Sequence, residues 1–406
     1  MESAARGVNQ PALGDFNQRV VADAIRRAPG ISRTELADTT GLAPQTISNV
    51  VRRLLAAELV KETGAVARGP GKPRTNLELD PDGAFAIGIH IDPSIVDIIL
   101  MDLTGEIRAR VDREVGDRED PQTTLAEVAA AITHLVSTAD IPPSRVVGIG
   151  IASPGPVDVN QRLIINPPRM PRWHQIRIGD LLEEMLNLPV VLLKDVTAGA
   201  IGELWLRRFD EPGSFIFCYL GTGLGVASVL RGVVQLGVDG NAGEVGPRPS
   251  RDADMDSPSH VGTATAPATW VRQAVELGLH PAVPAGPVEP RQIASAVATL
   301  VGLAERGDPE VQKIFRDAGQ VLGRTLAQYS DLFDIPTIVM GGPYWEVVGD
   351  LLLPEVSAAL EELPVLADVR PVTARTCAHG RDVSAIGAAS HALRQLLIPA
   401  TRYPIT

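Results

Sequence analysis

Residues 31–56 read ISRTELADTTGLAPQTISNVVRRLLA, and they carry the clearest local signals for the fold of the N-terminal part of the chain. Ser32 and Glu35 have the spacing of a capping box, in which each residue satisfies a free backbone N–H at the start of a helix. Gly41 supplies a sharp turn. Pro44 can begin a second helix, because the first helical position needs no N–H donor. The stretch therefore predicts two short helices joined by a tight turn.

The second of these helices has one apolar face and one polar face. Its apolar residues recur with the spacing of a face that packs on a core; they are Ile47, Val50, Val51, Leu54 and Leu55. The opposite face carries amides, hydroxyls and arginine, which can bind base edges and phosphates. This pattern is typical of a helix-turn-helix whose second helix reads DNA. The residues of these helices that we expect to contact DNA are Arg33, Gln45, Thr46, Ser48, Asn49, Arg52 and Arg53.

Residues 59–79 are predicted to form a β-hairpin beside the helices. Two short strands flank a basic loop that is rich in glycine and proline. A thin cationic loop can enter a minor groove, so Arg68, Lys72 and Arg74 are further expected DNA contacts. The hairpin would then be the wing of a winged helix-turn-helix. The alternative is an ordinary surface hairpin whose charges are only solvated.

The charge of the chain is unevenly distributed. The net charge is −12, yet residues 1–80 hold 11 Lys and Arg against 9 Asp and Glu, and the remainder holds 26 against 40. An acidic body is repelled by DNA, so only the N-terminal arm is expected to touch it. Cys218 and Cys377 lie far apart and suggest no disulfide framework, which favours a reducing cytoplasm. No signal peptide or long apolar run is evident, so no membrane partner is expected.

Several motifs of the body occur in the order found in the ROK family (repressors, open reading frames and sugar kinases). Residues 148–158 read GIGIASPGPVD, residues 221–225 read GTGLG, and residues 240–246 read GNAGEVG. A strand is expected to end at Lys194-Asp195. Gly341-Gly342 occupies the position of the turn that lies beside adenosine in the family. The chain resembles this family over nearly its whole length. The resemblance implies an N-terminal winged helix-turn-helix followed by a two-lobed α/β actin-like ATPase fold.

We expect four regions along the chain. A flexible N-terminus at residues 1–14 precedes the winged helix-turn-helix domain at residues 15–80. Alternating strands and helices then predict an α/β body with mixed sheets. Its first lobe is expected to comprise residues 81–196 together with 386–406. Its second lobe is expected at residues 197–385 and, as in the family, to contribute to a homodimer.

The nucleotide site that the resemblance implies is degenerate. Kinases of the family place Asp-x-Gly-Gly-Thr on the first hairpin, where backbone amides bind the ATP phosphates. The aligned run here is His90-Ile91-Asp92-Pro93-Ser94, in which Pro93 lacks an N–H and Asp92 adds negative charge. The residues that remain of a degenerate nucleotide loop are Gly221, Thr222 and Gly223. We therefore expect no ATP transfer, no catalytic residue and no enzyme.

The zinc site of the family is also missing from the sequence. Pro247 stands where the family has a zinc-binding histidine, and no cysteine lies between residues 219 and 376. A tetrahedral zinc site with thiolate ligands cannot form from these residues. No metal and no cofactor are therefore expected.

The sugar pocket of the family is half retained. Asp195 and Glu244 can accept hydrogen bonds from hydroxyls, and the resemblance places Asn166 beside the sugar. Asp195 also occupies the position of the family's catalytic base. Lys194 replaces a family asparagine, and two outcomes are open: it binds an anionic sugar such as a phosphate, or it pairs with Asp195 and the pocket binds nothing. The expected ligand-binding residues are Asn166, Lys194, Asp195 and Glu244.

These features predict a cytoplasmic, sequence-specific DNA-binding transcriptional regulator, and more narrowly a repressor of carbohydrate metabolism genes. Its partners would be double-stranded DNA with a palindromic operator, a sugar or sugar phosphate effector, and a second copy of the chain. Two alternatives remain. One is an ATP-dependent sugar kinase with an appended DNA-binding arm, and the other is a repressor that responds to no ligand.

Overall fold

The computed structural model describes residues 10–66, 74–93, 95–114, 120–167, 170–207, 213–245, 261–279 and 290–397. An N-terminal arm precedes two α/β lobes, each built on a five-stranded sheet. Within the described residues, none of the helices has the length and apolar character that crossing a membrane requires.

The arm folds as the predicted winged helix-turn-helix. Its elements are α1 (Gln10–Arg27), β1 (Ile31–Ser32), α2 (Arg33–Thr40), α3 (Pro44–Ala56), β2 (Val60–Val66) and β3 (Arg74–Leu79). The strands form one sheet in the order β1-β3-β2, in which β2 and β3 are the antiparallel strands of the wing. The basic loop between them, with the predicted contacts Arg68 and Lys72, lies outside the described residues.

The helices of the arm begin and end where local interactions dictate. Ser32 Oγ accepts a hydrogen bond from the Glu35 N–H at 3.4 Å, and Glu35 Oε2 accepts one from the Ser32 N–H at 2.9 Å. Gly41 ends α2 in the left-handed region with φ of 69°, where a residue with a side chain is disfavoured. Pro44 is the first residue of α3. The capping box, the turn and the second helix are therefore confirmed.

Helix α1 begins at Gln10, inside the segment 1–14 that we expect from the sequence to be flexible. The structure therefore extends the helical arm into residues 10–14, and residues 1–9 lie outside the described part. Val21 and Ile25 of α1 are fully buried in the core of the arm, and the same apolar cluster continues to Leu393 of the body. The arm is thus packed against the body by apolar contacts.

The first lobe carries a mixed sheet in the order β10-β7-β4-β5-β6. Its strands are β4 (Phe85–Ile91), β5 (Ile95–Asp102), β6 (Ile107–Glu114), β7 (Val146–Ser153) and β10 (Val190–Lys194). Its helices are α4 (Pro121–Thr138) and α5 (Ile178–Leu186), and a small pair of strands, β8 (Val157–Asp158) and β9 (Leu163–Ile164), follows β7. Every residue of β4 is buried, because both faces of the central strands are covered.

The second lobe repeats this plan with the strand order β13-β12-β11-β14-β15. Its strands are β11 (Phe215–Leu220), β12 (Leu224–Leu230), β13 (Val233–Val234), β14 (Thr337–Gly341) and β15 (Thr373–Thr376). Its helices are α7 (Val261–Ala264), α8 (Pro267–Glu276), α9 (Pro290–Glu305), α10 (Pro309–Phe333) and α11 (Pro343–Glu362). The antiparallel strands β11 and β12 are joined by the turn of the glycine-rich loop.

Two helices connect the lobes and determine where the pocket lies. They are α6 (Asp195–Trp205), which follows β10 directly, and α12 (Val383–Ala392), which continues into a π-helical turn at Leu393–Leu397. A Cβ on Gly387 of α12 would lie 1.7 Å from the Ala198 carbonyl oxygen of α6. Only glycine permits an approach of this kind. The first residue of α6 is therefore held at the carboxyl end of β10.

Candidate DNA interface and ligand pocket

The polar face of α3 is available for DNA. Gln45, Arg52 and Arg53 are exposed, and Thr46, Ser48 and Asn49 are half-buried. The side chains of Gln45 and Asn49 lie one turn apart and are joined by a hydrogen bond of 3.4 Å from Nε2 to Oδ1. Two amides in this arrangement can bind adjacent base edges in a major groove.

The arginines predicted to contact DNA have different surroundings. Arg33 Nη2 lies 2.8 Å from Glu62 Oε1 of strand β2, so its charge is partly neutralised by the wing. The Arg53 guanidinium lies beside Gly14 of α1, where an added Cβ would be 3.6 Å from Nη1. Arg52 is exposed. Arg74 is the first residue of β3.

The second candidate site lies where β10 meets α6, facing the second lobe. Lys194 is almost completely buried, and its Nζ lies 2.8 Å from Glu244 Oε1. The same Nζ donates a hydrogen bond of 3.1 Å to the Ala242 carbonyl oxygen. The salt bridge of Lys194 is thus with Glu244, rather than the pairing with Asp195 that the sequence leaves open. It connects the first lobe to the GNAGEVG segment of the second.

Asp195 follows Lys194 directly and is half-buried. Its Oδ1 accepts the Val196 N–H at 2.6 Å, at the first turn of α6. Burial raises the pKa of Asp195 to about 6, although the positive charges of Lys194 and His90 oppose the rise. A carboxyl group with this pKa can accept a proton or a hydroxyl hydrogen bond near neutral pH.

The remaining predicted ligand residue, Asn166, is exposed on the loop after β9. This loop is held by a hydrogen bond of 3.0 Å from the Ile165 N–H to the Pro156 carbonyl oxygen. The structure therefore brings Lys194 and Glu244 into contact beside Asp195, whereas Asn166 lies on a separate loop.

Asn241 is a residue of this region whose role was not predicted. Its Nδ2 donates to the Val157 carbonyl oxygen at 2.7 Å, and its Oδ1 accepts the Val157 N–H at 2.8 Å. The amide thereby extends the strand pairing of β8 and fastens the second lobe to the first. The motif that contains Asn241 was visible in the sequence, but the partner lies 84 residues away.

The degenerate nucleotide loop forms a tight turn after β11. The Gly221 N–H donates to the Gly223 carbonyl oxygen at 2.9 Å, and Thr222 between them is half-buried. Tyr219, two residues before this turn, reaches across to the first lobe. Its hydroxyl lies 2.8 Å from His90 Nε2.

His90 lies near the end of β4. In the kinases of the family that the sequence resembles, the hairpin that binds the ATP phosphates begins at this position. The ring of His90 is fully buried, and Nδ1 lies 3.6 Å from Asp97 Oδ2. Burial alone lowers the pKa of His90, but Asp97, Asp92 and Asp195 outweigh this effect and raise it. Burial and the same carboxylates raise the pKa of Tyr219 well above its usual value. A histidine, a tyrosine and three carboxylates therefore occupy this part of the interlobe space.

Metal binding finds no support in the part of the chain that the structure describes. No group of three histidine, cysteine, aspartate or glutamate side chains is arranged there to hold an ion. Pro247, which replaces the family histidine, lies outside that part. Cys218 and Cys377 are both free and buried.

The family of the chain follows from comparison with known proteins. The ROK family profile matches residues 86–395, which is most of the body just described. The chain belongs to the ROK family. A MarR family profile matches residues 15–69, in agreement with the winged helix-turn-helix of the arm. The predicted family and two-part fold are therefore confirmed.

Two relatives by sequence carry the names of regulators. A transcriptional regulator of Mycobacterium tuberculosis is 27% identical over 386 residues, which cover 93% of this chain and 84% of that protein. The xylose repressor of Bacillus subtilis is 27% identical over 238 residues, or 59% of this chain. The match spans 61% of the length of that repressor.

Solved structures show the same fold. A ROK family transcriptional regulator described as a homologue of the E. coli MLC protein superposes with a TM-score of 0.75 at 23% identity, over 95% of this chain and 98% of that chain. A ROK family glucokinase from Streptomyces griseus, solved with glucose and AMPPNP, gives a TM-score of 0.62 at 21% identity. It covers 76% of this chain and 99% of its own.

Proposed function

We propose that this protein is a DNA-binding transcriptional repressor of carbohydrate genes, in which a ROK body that no longer transfers phosphate senses a ligand. The main support for this proposal is an amide pair on the second helix of a winged helix-turn-helix, formed by the exposed Gln45 and the half-buried Asn49. The names of the relatives, xylose repressor and transcriptional regulator, support the same function. The test is binding of the purified chain to DNA from its own upstream region.

The lack of phosphate transfer is supported by the contact between His90 and Tyr219. The contact joins the two lobes where the phosphate hairpin of a kinase would lie. Asp92 and Asp97 are buried beside it, and their charge would repel ATP phosphates. We infer that the contact between these side chains takes the place of the cradle of backbone N–H groups that phosphate binding needs. The position of Asp195 favours the kinase alternative, because a carboxyl group with a pKa of about 6 could act as a base.

We expect the purified protein to release no ADP from ATP with any hexose or pentose. The expected reason is that the buried carboxylates of Asp92 and Asp97 beside His90 would repel the γ-phosphate. A coupled ADP-release assay over a sugar panel measures this, with a small addition of hexokinase as the control that the assay works. Release that depends on both sugar and protein, and that is lost in Asp195→Ala, would establish the kinase alternative.

The effector is proposed to be a sugar or sugar phosphate held between the lobes. Glu244 and Asp195 are acceptors for hydroxyl groups, and the buried ammonium of Lys194 can bind an anionic substituent. Because Lys194 already bridges the lobes through Glu244, a ligand that replaces this contact would change the closure of the lobes. Such hinge motion could alter the spacing of two arms on DNA.

The repressor is proposed to act in the cytoplasm as a homodimer on a palindromic operator. One short reading helix has limited contact area, so two half-sites read by two arms raise affinity. An exposed apolar patch on the second lobe supports a dimer interface there. Its residues and exposed fractions are Leu332 at 71%, Leu363 at 51%, Val365 at 74% and Val369 at 74%. The Val365 N–H donates to Asp331 Oδ2 at 3.1 Å, which places this segment against the end of α10.

The double substitution Val365→Asp and Val369→Asp is expected to convert the dimer to a monomer. Two carboxylates in an apolar interface would have to be buried without partners. Light scattering after size-exclusion chromatography measures the mass, and operator affinity should fall in parallel. Leu277→Asp, at an exposed leucine after α8, is the matched control. A dimer unchanged by the double substitution would exclude this face.

A further inference from the structure

A second cleft lies where the arm meets the body, away from the pocket between the lobes. It has a volume of about 770 Å³ and is lined by α1 of the arm, the last turns of α6 and α12, and the turn between β12 and β13. The residues that matter for its chemistry are Arg19, Arg26, Arg27, Trp205, His391 and Arg394. Its size falls within the range of pockets for small molecules, roughly 300 to 1,000 Å³.

The lining of this cleft is strongly basic in a protein of net charge −12. Four arginines and one histidine face a single lining carboxylate, Asp23. Asp23 forms ion pairs of 2.6 Å with Arg26 and 2.9 Å with Arg27. Asp15 also acts on Arg19, but two carboxylates do not balance four guanidinium groups, so the cleft keeps a positive potential.

The positive groups are close enough to destabilise one another. Burial, followed by repulsion from Arg394, lowers the pKa of Arg19, although Asp15 opposes the change. Burial and the charges of Arg394 and Arg19 lower the pKa of His391 to about 4. His391 is therefore neutral at physiological pH, and its ring can accept or donate one hydrogen bond. A bound anion would relieve the repulsion among the arginines.

Trp205 gives the cleft an apolar wall. The Arg26 guanidinium lies 4.6 Å from the centre of its indole ring, and the Arg26 side chain is only 7% exposed. This stacking fixes the guanidinium plane, and Arg26 Nε and Nη2 both donate to Asp23 Oδ1, at 3.2 and 2.6 Å. Arg26 therefore adds positive charge to the cleft, while its paired donors are held by Asp23. Ile201 and Leu204 add apolar surface beside it. The wall suits the non-phosphate part of a small molecule.

We propose that this cleft binds a phosphorylated small molecule, whose phosphate is held by Arg19 and Arg394 beside the positive charge of Arg26. A DNA backbone is the less suitable occupant. Helix α1 uses its other face, with Val21 and Ile25, to build the arm's core, and the basic face points toward the body. A duplex would have to enter between arm and body to reach it, whereas a metabolite fits a concave space of this size.

Such a ligand would fasten the arm to both lobes. Helix α6 runs from Asp195 at the sugar pocket to Trp205 at the cleft, so one rigid element connects the two sites. A shift of α6 on sugar binding would change the cleft, and an occupied cleft would change the sugar affinity by the same factor. This coupling rests on the proposed function, whereas the cleft as a phosphate site does not.

Isothermal titration of the full-length protein tests the site. Inorganic phosphate and a hexose 6-phosphate, each at up to roughly 10 mM, are expected to bind, and the unphosphorylated hexose is expected not to compete. The double variant Arg19→Ala and Arg394→Ala should lose at least about tenfold in affinity. Lys313→Ala, which removes an exposed lysine of α10 paired with Asp317, should bind as the wild type does.

Three results would overturn this site. The first is the absence of phosphate binding by the wild type, and the second is unchanged binding by the Arg19 and Arg394 double variant. The third is a loss of operator affinity in that variant without any phosphate binding, which would assign the cleft to the DNA backbone. Thermal unfolding of the single variant Arg394→Gln shows whether a loss of phosphate binding comes from misfolding. Asp195→Ala should still bind phosphate in the cleft. A loss of sugar binding between the lobes can therefore be distinguished from a loss of phosphate binding in the cleft.

Discussion

Replacing Gln45 and Asn49 together by alanine is expected to lower operator affinity by about 100-fold. One side-chain amide bound to a base edge contributes about 1–3 kcal/mol of discrimination between bases. A change of about 1.4 kcal/mol corresponds to a tenfold change in affinity. Both side chains sit on the open face of α3, so the fold of the arm should not change. Fluorescence anisotropy with a labelled operator at fixed salt concentration measures the effect, because affinity for DNA depends strongly on salt.

The substitutions should leave affinity for a scrambled duplex nearly unchanged, because they remove no phosphate contact. Thr39→Ala, at an exposed residue of α2, is the matched control and should bind as the wild type does. A parallel loss on operator and scrambled DNA would mean that these amides do not read sequence. Unchanged operator binding would place the reading surface elsewhere.

The second large effect is expected at Asp195. Asp195→Ala should weaken binding of the effector sugar by about 30-fold, because a hydrogen bond to a charged group contributes about 2 kcal/mol. The same variant should keep its operator affinity without sugar and lose the response to sugar. Calorimetry over a panel of neutral and phosphorylated sugars identifies the effector, and gel shifts with and without it measure the response.

Asp317→Ala, an exposed carboxylate on α10, is the matched control for this variant. A wild type that binds its operator yet shows no heat with any sugar would support the ligand-blind repressor. A sugar that binds equally well to Asp195→Ala would contradict the proposed pocket.

Because the pKa of Asp195 is about 6, we expect both the sugar affinity and the folding stability to depend on pH. Hydroxyl donors favour the ionised carboxylate, so sugar affinity should be constant near neutral pH and fall as the pH drops below about 6. The effect on folding has the opposite sign. The pKa of Asp195 in the folded state lies above the usual 3.8. The contribution of Asp195 to folding stability is therefore fully present below pH 3.8, and it is lost as the pH rises through about 6.

Local sequence signals predicted the parts of the fold that local interactions determine. The capping box at Ser32 and the proline at position 44 placed α2 and α3, because both signals act within one helical turn. The start of α1 at Gln10 was missed. Its buried residues, such as Val21 and Ile25, cluster in the last part of the helix, so no apolar periodicity marks its first turns. Packing against the arm and body, rather than a local signal, stabilises this helix.

The contacts of the candidate site could not be read from the sequence. Lys194 and Glu244 are 50 residues apart, and His90 and Tyr219 are 129 residues apart. The motifs indicated that these segments belong to one site, but pairing depends on how α6 and the two sheets pack. For this reason the sequence left Lys194 with two possible partners, and neither of them was Glu244.

The arm and the body are connected more closely than two independent domains would be. Glu58, just after α3, forms an ion pair with Arg145 of the first lobe, and the apolar core of the arm includes residues of α12. A change in the lobes can therefore reach the reading helix through direct contacts. This is the physical basis on which a ROK body could regulate a DNA-binding arm.

The proposed function requires that the ROK body carries a sequence-specific DNA reader. Its most direct test is a competition titration of the full-length protein with a duplex from its own upstream region against a scrambled duplex of equal length, at one physiological salt concentration. Preference for the upstream duplex by about a thousandfold or more is the expected result. Equal affinity for the two duplexes would contradict it.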